Sequence, residues 1–174
     1  FEGEYLNGKR WNGEGYNKNG VPDFKIKEGS GKIKEYYDND NLKYDGEYLN
    51  GERNGKGKEY NYYGDLIFKG EYLNGERNGK GKEYDINGYL IFEGEYLNGK
   101  RNGKGKEYDN RILIYEREFL NGIWNGKRKE YDYYCGNVIY EGEYLNGKRK
   151  RWIKPKILNS KIILIIFIEN ILLK

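Results

Sequence analysis

The sequence predicts an all-β protein: an elongated, single-layer antiparallel meander of β-hairpin repeats, followed by a C-terminal apolar segment that leans to helix. Three observations predict it. An aromatic-x-Gly-Glu-aromatic motif starts at Phe1, Tyr44, Phe68, Phe92, Tyr115 (with Arg117 in the glycine position) and Tyr140, at steps of 24, 24, 23 and 25 residues after Tyr44. A fixed period of this length marks an array of supersecondary units. Within a unit, Leu90, Phe92, Gly94 and Tyr96 alternate with Ile91, Glu93, Glu95 and Leu97, which is the strand period. Asn-Gly pairs then punctuate the strands, as at Asn98-Gly99 and Asn87-Gly88, and both residues tolerate the positive φ of a tight hairpin turn.

The elements follow in order. The gap from Phe1 to Tyr44 fits two units, the second a degenerate one near Phe24, so units start near residues 1, 24, 44, 68, 92, 115 and 140. Each holds two short strands and two turns, and the array fills 1–150. Glycine weakens a strand and marks close approach of other groups. Gly94 and Gly105 on neighbouring strands therefore predict a ring lying over glycine across the ladder, each ring burying roughly 150–250 Å². From 151 to 174 the composition changes. Glycine disappears, and an apolar run of seven residues, Ile162–Ile168, is too short for a membrane span, which needs about 20. The length of 157–173 exceeds a usual strand, and a helix or a cap on the last repeat is expected there.

These residues resemble the MORN repeat family, whose pattern is aromatic-x-Gly-x-aromatic-x-x-Gly-x-x-x-Gly-x-Gly. Phe92, Gly94, Tyr96, Gly99, Gly103 and Gly105 match every position, as do the equivalent residues from Tyr44 to Gly57 and from Phe68 to Gly81. Other units depart: Trp11 is an insertion in the first, the second keeps Gly29 and Gly31, and Arg117 and Arg128 replace glycines in the Tyr115 unit. The linker Tyr84–Leu90 is also similar to the variant MORN repeat of bacterial antitoxin-like proteins. The resemblance implies an elongated antiparallel sheet and a role in protein scaffolding, membrane-associated assembly or phospholipid contact.

Several kinds of chemistry fit poorly. The 174 residues include no His and two Ser, which leaves no hydrolase triad and no base to activate Cys135, the single cysteine. A lone cysteine excludes an internal disulfide and fits a reducing compartment. Gly75–Gly81 has three residues between its first glycines and Gly81 where a phosphate-binding loop needs Ser or Thr. Asp38–Asn41 lacks the glycine and distal acid of a calcium loop. Glu93 and Glu95, with Glu71 and Glu47, recur with the period beside Lys and Arg, and cross-strand ion pairing is the expected role. The net charge of +4 resides in the tail, because residues 1–150 carry equal numbers of basic and acidic groups. A neutral array is a poor ligand for nucleic acid.

The expectation is a non-enzymatic scaffold without metal or cofactor that mediates protein–protein interaction or assembly, in the cytoplasm. Tyr48, Tyr72, Tyr96, Phe119 and Tyr144 are the candidate partner-binding aromatics. Peripheral membrane or phospholipid binding through Lys148, Arg149, Lys150, Arg151 and the apolar tail is one alternative. An accessory region of a larger enzyme or antitoxin-like protein is another, since the chain starts at Phe1 rather than Met and reads as a fragment.

Overall fold

A computed structural model of the chain describes residues 1–153, the last four as backbone only. Among the described residues there are fourteen strands and no helix. In chain order they are β1 Glu2–Leu6, β2 Lys9–Tyr16, β3 Pro22–Ile26, β4 Gly31–Tyr36, β5 Leu42–Leu49, β6 Glu52–Tyr60, β7 Leu66–Leu73, β8 Glu76–Tyr84, β9 Leu90–Leu97, β10 Lys100–Asp109, β11 Ile112–Leu120, β12 Ile123–Tyr131, β13 Val138–Leu145 and β14 Lys148–Ile153, and every successive pair is hydrogen-bonded except β3 and β4, which meet only at the Lys27–Ser30 bridge. β4 to β14 form one open antiparallel meander of eleven strands, each bonded to its neighbours in sequence; β1 to β3 form a second sheet. The segment from 154 to 174, including the expected helix and the apolar run, lies outside the described residues.

Turn chemistry sets the hairpins. Asn50-Gly51, Asn74-Gly75 and Asn98-Gly99 all have positive φ at both residues, for example 48° and 75° in the last pair. Such two-residue turns match the right-handed twist of the strands they join. The loops between hairpins are closed by side chains: Asp85 Oδ1 accepts the backbone N–H groups of Asn87 and Tyr89 at 2.9 and 2.8 Å. Asp38–Asn41, weighed above as a calcium loop, is such a connection, with the Asn39 and Asn41 amides both donating to the Tyr62 carbonyl.

The ladder breaks where the repeat degenerates. β3 and β4 join through Glu28-Gly29, where the full hairpin motif is missing. They are held together by side chains, with Lys34 Nζ on Asp23 at 2.6 Å and the Tyr36 hydroxyl on the same carboxylate. Ile26 and Ile33 are fully buried there, and Ile33 pairs with Gly46, filling with a branched aliphatic chain a site that is glycine in the next units.

The core is one line of rings along one face of the sheet. Glycines pair across the ladder as Gly46 with Gly57, Gly70 with Gly81 and Gly94 with Gly105. Tyr44, Phe68 and Phe92 each lie over one such pair and are fully buried. Tyr72 and Tyr96 bridge successive units edge to face, with centroids 5.3 Å from Tyr44 to Tyr72 and 5.2 Å from Phe68 to Tyr96. Phe119 continues the line at 5.6 Å from Phe92. Each contact of this geometry contributes about 0.5–1.5 kcal/mol beyond the area it buries.

Candidate interaction site

The two faces of the sheet are finished differently, and the finish decides what each can do. On the aromatic face each of the three rings that lie over a glycine pair has a lid. The guanidinium of Arg53 lies 4.1 Å over Tyr44, that of Arg77 4.0 Å over Phe68 and that of Arg101 4.0 Å over Phe92. Each lid is tied to a glutamate of the preceding hairpin, and Arg53 and Arg101 also to one on their own strand. Arg53 pairs with Glu35 at 2.9 Å and Glu59 at 3.3 Å, Arg77 pairs with Glu59, and Arg101 pairs with Glu83 at 2.5 Å and Glu107 at 3.1 Å. The Tyr96 hydroxyl also donates to Glu83, at 2.5 Å. A ring is thus held between glycine backbone on one side and a charge-paired guanidinium on the other.

The Tyr115 hairpin reverses this arrangement. Arg117 and Arg128 occupy the paired glycine positions, and Trp124 stands where the other units carry the arginine lid. Arg117 lies 4.0 Å from the Tyr115 ring centroid and 4.4 Å from that of Trp124. It is 5% exposed and paired to Glu107 at 2.6 Å. Burial pushes its guanidinium below the ordinary arginine value, against the pull of Glu107.

The carboxylates that tie down the arginine lids are strongly engaged. Burial works against the ionisation of Glu35, but hydrogen bonds from Arg53 and Tyr48 outweigh it and hold the carboxyl below its ordinary value. Glu83 behaves the same way, between burial and the bonds from Arg101 and Tyr96. A folded-state value below the unfolded one supplies stability that is full above about 4.5 and is lost as pH falls through the depressed folded value. The melting temperature is expected to fall between pH 5 and 3, and Glu35→Gln/Glu83→Gln to flatten that fall. A double variant with the parent's acid profile would remove these two groups as the cause.

Three of the aromatic positions named from the sequence are core. Tyr72, Tyr96 and Phe119 are 4–5% exposed, with the arginine lids closing the face they occupy. Tyr48 packs against this cluster, half-buried, and its hydroxyl donates to Glu35. Tyr144 meets Trp124 edge to face at 6.2 Å. The four basic residues Lys148, Arg149, Lys150 and Arg151 all fall in β14. Lys148 and Arg149 are exposed, and the Arg149 guanidinium lies 4.4 Å over Tyr140.

The opposite face is charged. It forms a groove of about 1050 Å³, floored by the glycine backbones and walled by lysines and carboxylates. Rows of lysine alternate with rows of acid: Lys80 and Lys82 on β8 oppose Glu95 and Glu93 on β9. Lys82 reaches Glu93 at 2.9 Å, and Lys106 reaches Glu116 at 3.5 Å. The recurrent carboxylates have structural partners. Glu71 accepts the backbone N–H of Lys80 at 3.1 Å, clamping the bulge at Gly79 (φ 82°), and Glu47 and Glu118 do the same at Lys56 and Lys127. Tyr108 donates to Glu93 and Tyr131 to Glu116, both at 2.7 Å. Among the described residues no group of three or more His, Cys, Asp or Glu side chains is placed to hold a metal.

The hairpin edge carries a feature that sequence reading passed over. Leu6, Leu49, Leu73, Leu97, Leu120 and Leu145, each immediately before an Asn-Gly turn, are 43–52% exposed. The signal was an apolar residue at the same solvent-facing position of six units. Cys135, with Tyr133 and Tyr134, lies exposed on the connection between β12 and β13.

Hairpins of one design, each completed by a ring and a lid-binding glutamate from its neighbours, define a tandem-repeat scaffold. The MORN repeat family model matches residues 44–61, 68–88, 92–110 and 140–150, and the chain carries MORN repeats. β11 and β12, with arginines at the glycine positions, lie between the matched stretches. No curated protein matches the chain. MORN repeats commonly serve as interaction repeats for proteins or membranes.

Proposed function

We propose that the chain is a non-enzymatic scaffold that holds a protein partner against the hairpin edge of its sheet. The leucine row carries this reading. Large apolar side chains left half in water at one position of every full hairpin have no role in the core, and exposed apolar rows mark interaction surfaces. Leucines on alternate strands recur about every 10 Å, since neighbouring strands lie roughly 4.8 Å apart. An α-helix with an apolar residue every seven positions repeats at about 10.5 Å, so a helical partner segment with that spacing fits the row. Polar neighbours across the turns, such as Glu52 opposite Leu49 and Glu76 opposite Leu73, supply the wet rim that interfaces carry.

The test is capture of partners from a lysate of the source cell by the full chain and by Leu73→Ser/Leu97→Ser/Leu120→Ser. These side chains are exposed, so folding stability should change by no more than about 0.5 kcal/mol at each site. Affinity for an identified partner should fall at least about tenfold, or about 1.4 kcal/mol. Equal capture by both proteins would sink the proposal.

A further inference from the structure

The charged groove contains one break in its alternation. At the first variable position of the motif the chain has an acid in Glu2, Asp45, Glu93, Glu116 and Glu141, but a lysine at 69. Lys69 pairs directly with Lys58 on one side and with Lys82 on the other. Residues so paired project from the same face with Cβ atoms about 5 Å apart, an arrangement that like charges destabilise. Of the three, only Lys82 has an ion pair among the described residues, with Glu93. Glu71, the acid nearest along β7, is committed to the bulge at Lys80.

The substitution also removes a hydrogen-bond acceptor. In three hairpins the tyrosine closing the second strand donates to the acid at this position, Tyr16 to Glu2, Tyr108 to Glu93 and Tyr131 to Glu116, whereas Tyr60 makes no such bond to Asp45. The equivalent of Tyr108 on β8 is Tyr84, whose expected acceptor is Lys69. Tyr84 lines the groove beside the three lysines and makes no hydrogen bond among the described residues.

We propose that Lys58, Lys69, Lys82 and Tyr84 form a phosphoryl-binding site, occupied by a phosphorylated side chain on an extended segment of a partner protein. Three ammonium groups and a phenolic donor suit a compact dianion with three oxygens. The groove accounts for the form of the ligand. Asp45 and Glu47 on one side of the cluster, and Glu93 and Glu95 on the other, line the same groove. An anionic bilayer would press on those carboxylates, whereas a single extended strand can place one phosphate on the lysines and clear them. The inference rests on the reading of the chain as a protein-binding scaffold, but it uses the middle of the charged groove rather than the hairpin edge where the leucines lie.

The full chain, labelled with ¹⁵N, is titrated at low ionic strength with a glycine–serine heptapeptide bearing one central phosphoserine, with its unphosphorylated form, with inorganic phosphate, and with vesicles containing anionic phospholipid. The phosphopeptide should shift the backbone signals of β6, β7 and β8 and bind at least tenfold more tightly than inorganic phosphate or the unphosphorylated peptide, and the shift should fade as salt is added. Lys69→Glu restores the alternation, so it should weaken phosphopeptide binding at least tenfold while leaving the melting temperature unchanged or higher, which separates lost binding from lost folding. Lys106→Glu, in a regular unit, should leave binding intact. Absence of phosphopeptide binding, equal binding of the unphosphorylated peptide, indifference to Lys69→Glu, an equal response to inorganic phosphate, or a preference for vesicles would each overturn the proposal. The leucine variants should bind the phosphopeptide normally, so failure here and failure of the edge interface are distinguishable.

Discussion

Gly81→Ala is expected to destabilise the array by about 2–4 kcal/mol, far more than alanine does at an open turn glycine such as Gly88. The φ of Gly81 is ordinary, so backbone strain is not the reason. A Cβ at this position would lie 2.5 Å from Phe68 Cζ and 2.9 Å from Tyr96 Cε2. Neither ring has room to retreat. Arg77 closes Phe68 from the other side at 4.0 Å, and Tyr96 is fixed edge to face against both Phe68 and Phe92. The methyl therefore expels a ring that links two hairpins, and in a structure stabilised by nearest neighbours a defect at the centre weakens coupling on both sides. Gly88→Ala is the control. Its φ is 78°, and nothing lies within 4 Å of the added methyl, so only the roughly 1 kcal/mol of left-handed strain applies. Urea denaturation of both variants decides the matter: equal losses would mean that the rings do not need bare backbone. Phe68→Leu in the Gly81→Ala background should recover part of the loss, as expected for two residues that share one space.

Trp124→Arg is expected to cost about 3–5 kcal/mol, although it installs the residue that the regular units carry at this position. Arg117 and Arg128 already occupy the glycine sites beneath it, and a third guanidinium would leave buried positive charge without the indole face it now rests on. The triple variant Trp124→Arg/Arg117→Gly/Arg128→Gly rebuilds the arrangement seen at Phe92, and its stability should return to within about 1 kcal/mol of the parent if the three positions act as a unit. Thermal melts of the single, double and triple variants measure this. A triple variant no more stable than Trp124→Arg would show that the exchange is not compensatory.

Much of this fold was legible in the sequence because the determinants are local. Asn98-Gly99 announces its own turn, and the alternation of Phe92, Gly94 and Tyr96 fixes which side chains share a face. The placement of rings over glycine followed from the same pattern. What sequence patterning did not reveal was which face is closed. Arg77 and Arg101 sit in polar stretches that read as loop, yet fold back as lids over rings fixed by other strands. That single fact places Tyr72, Tyr96 and Phe119, named from the sequence as candidate partner-binding aromatics, in the core. The reciprocal exchange at Arg117, Arg128 and Trp124 was visible only as missing glycines, since its logic depends on which residues pair across strands. Lys69 was likewise one lysine among many until register placed it between Lys58 and Lys82. The helix or cap expected after 153 falls on residues outside the described part of the chain.

The shared carboxylates have a consequence for length. Glu59 stands to Arg77 as Glu83 stands to Arg101, and the two relations are one period of 24 residues apart. Removing or duplicating a whole period between them leaves every guanidinium facing an equivalent glutamate and every ring an equivalent neighbour. The molecule is in that sense a ruler graduated in steps of about 10 Å, whose reach can change by whole divisions while its cross-section stays the same.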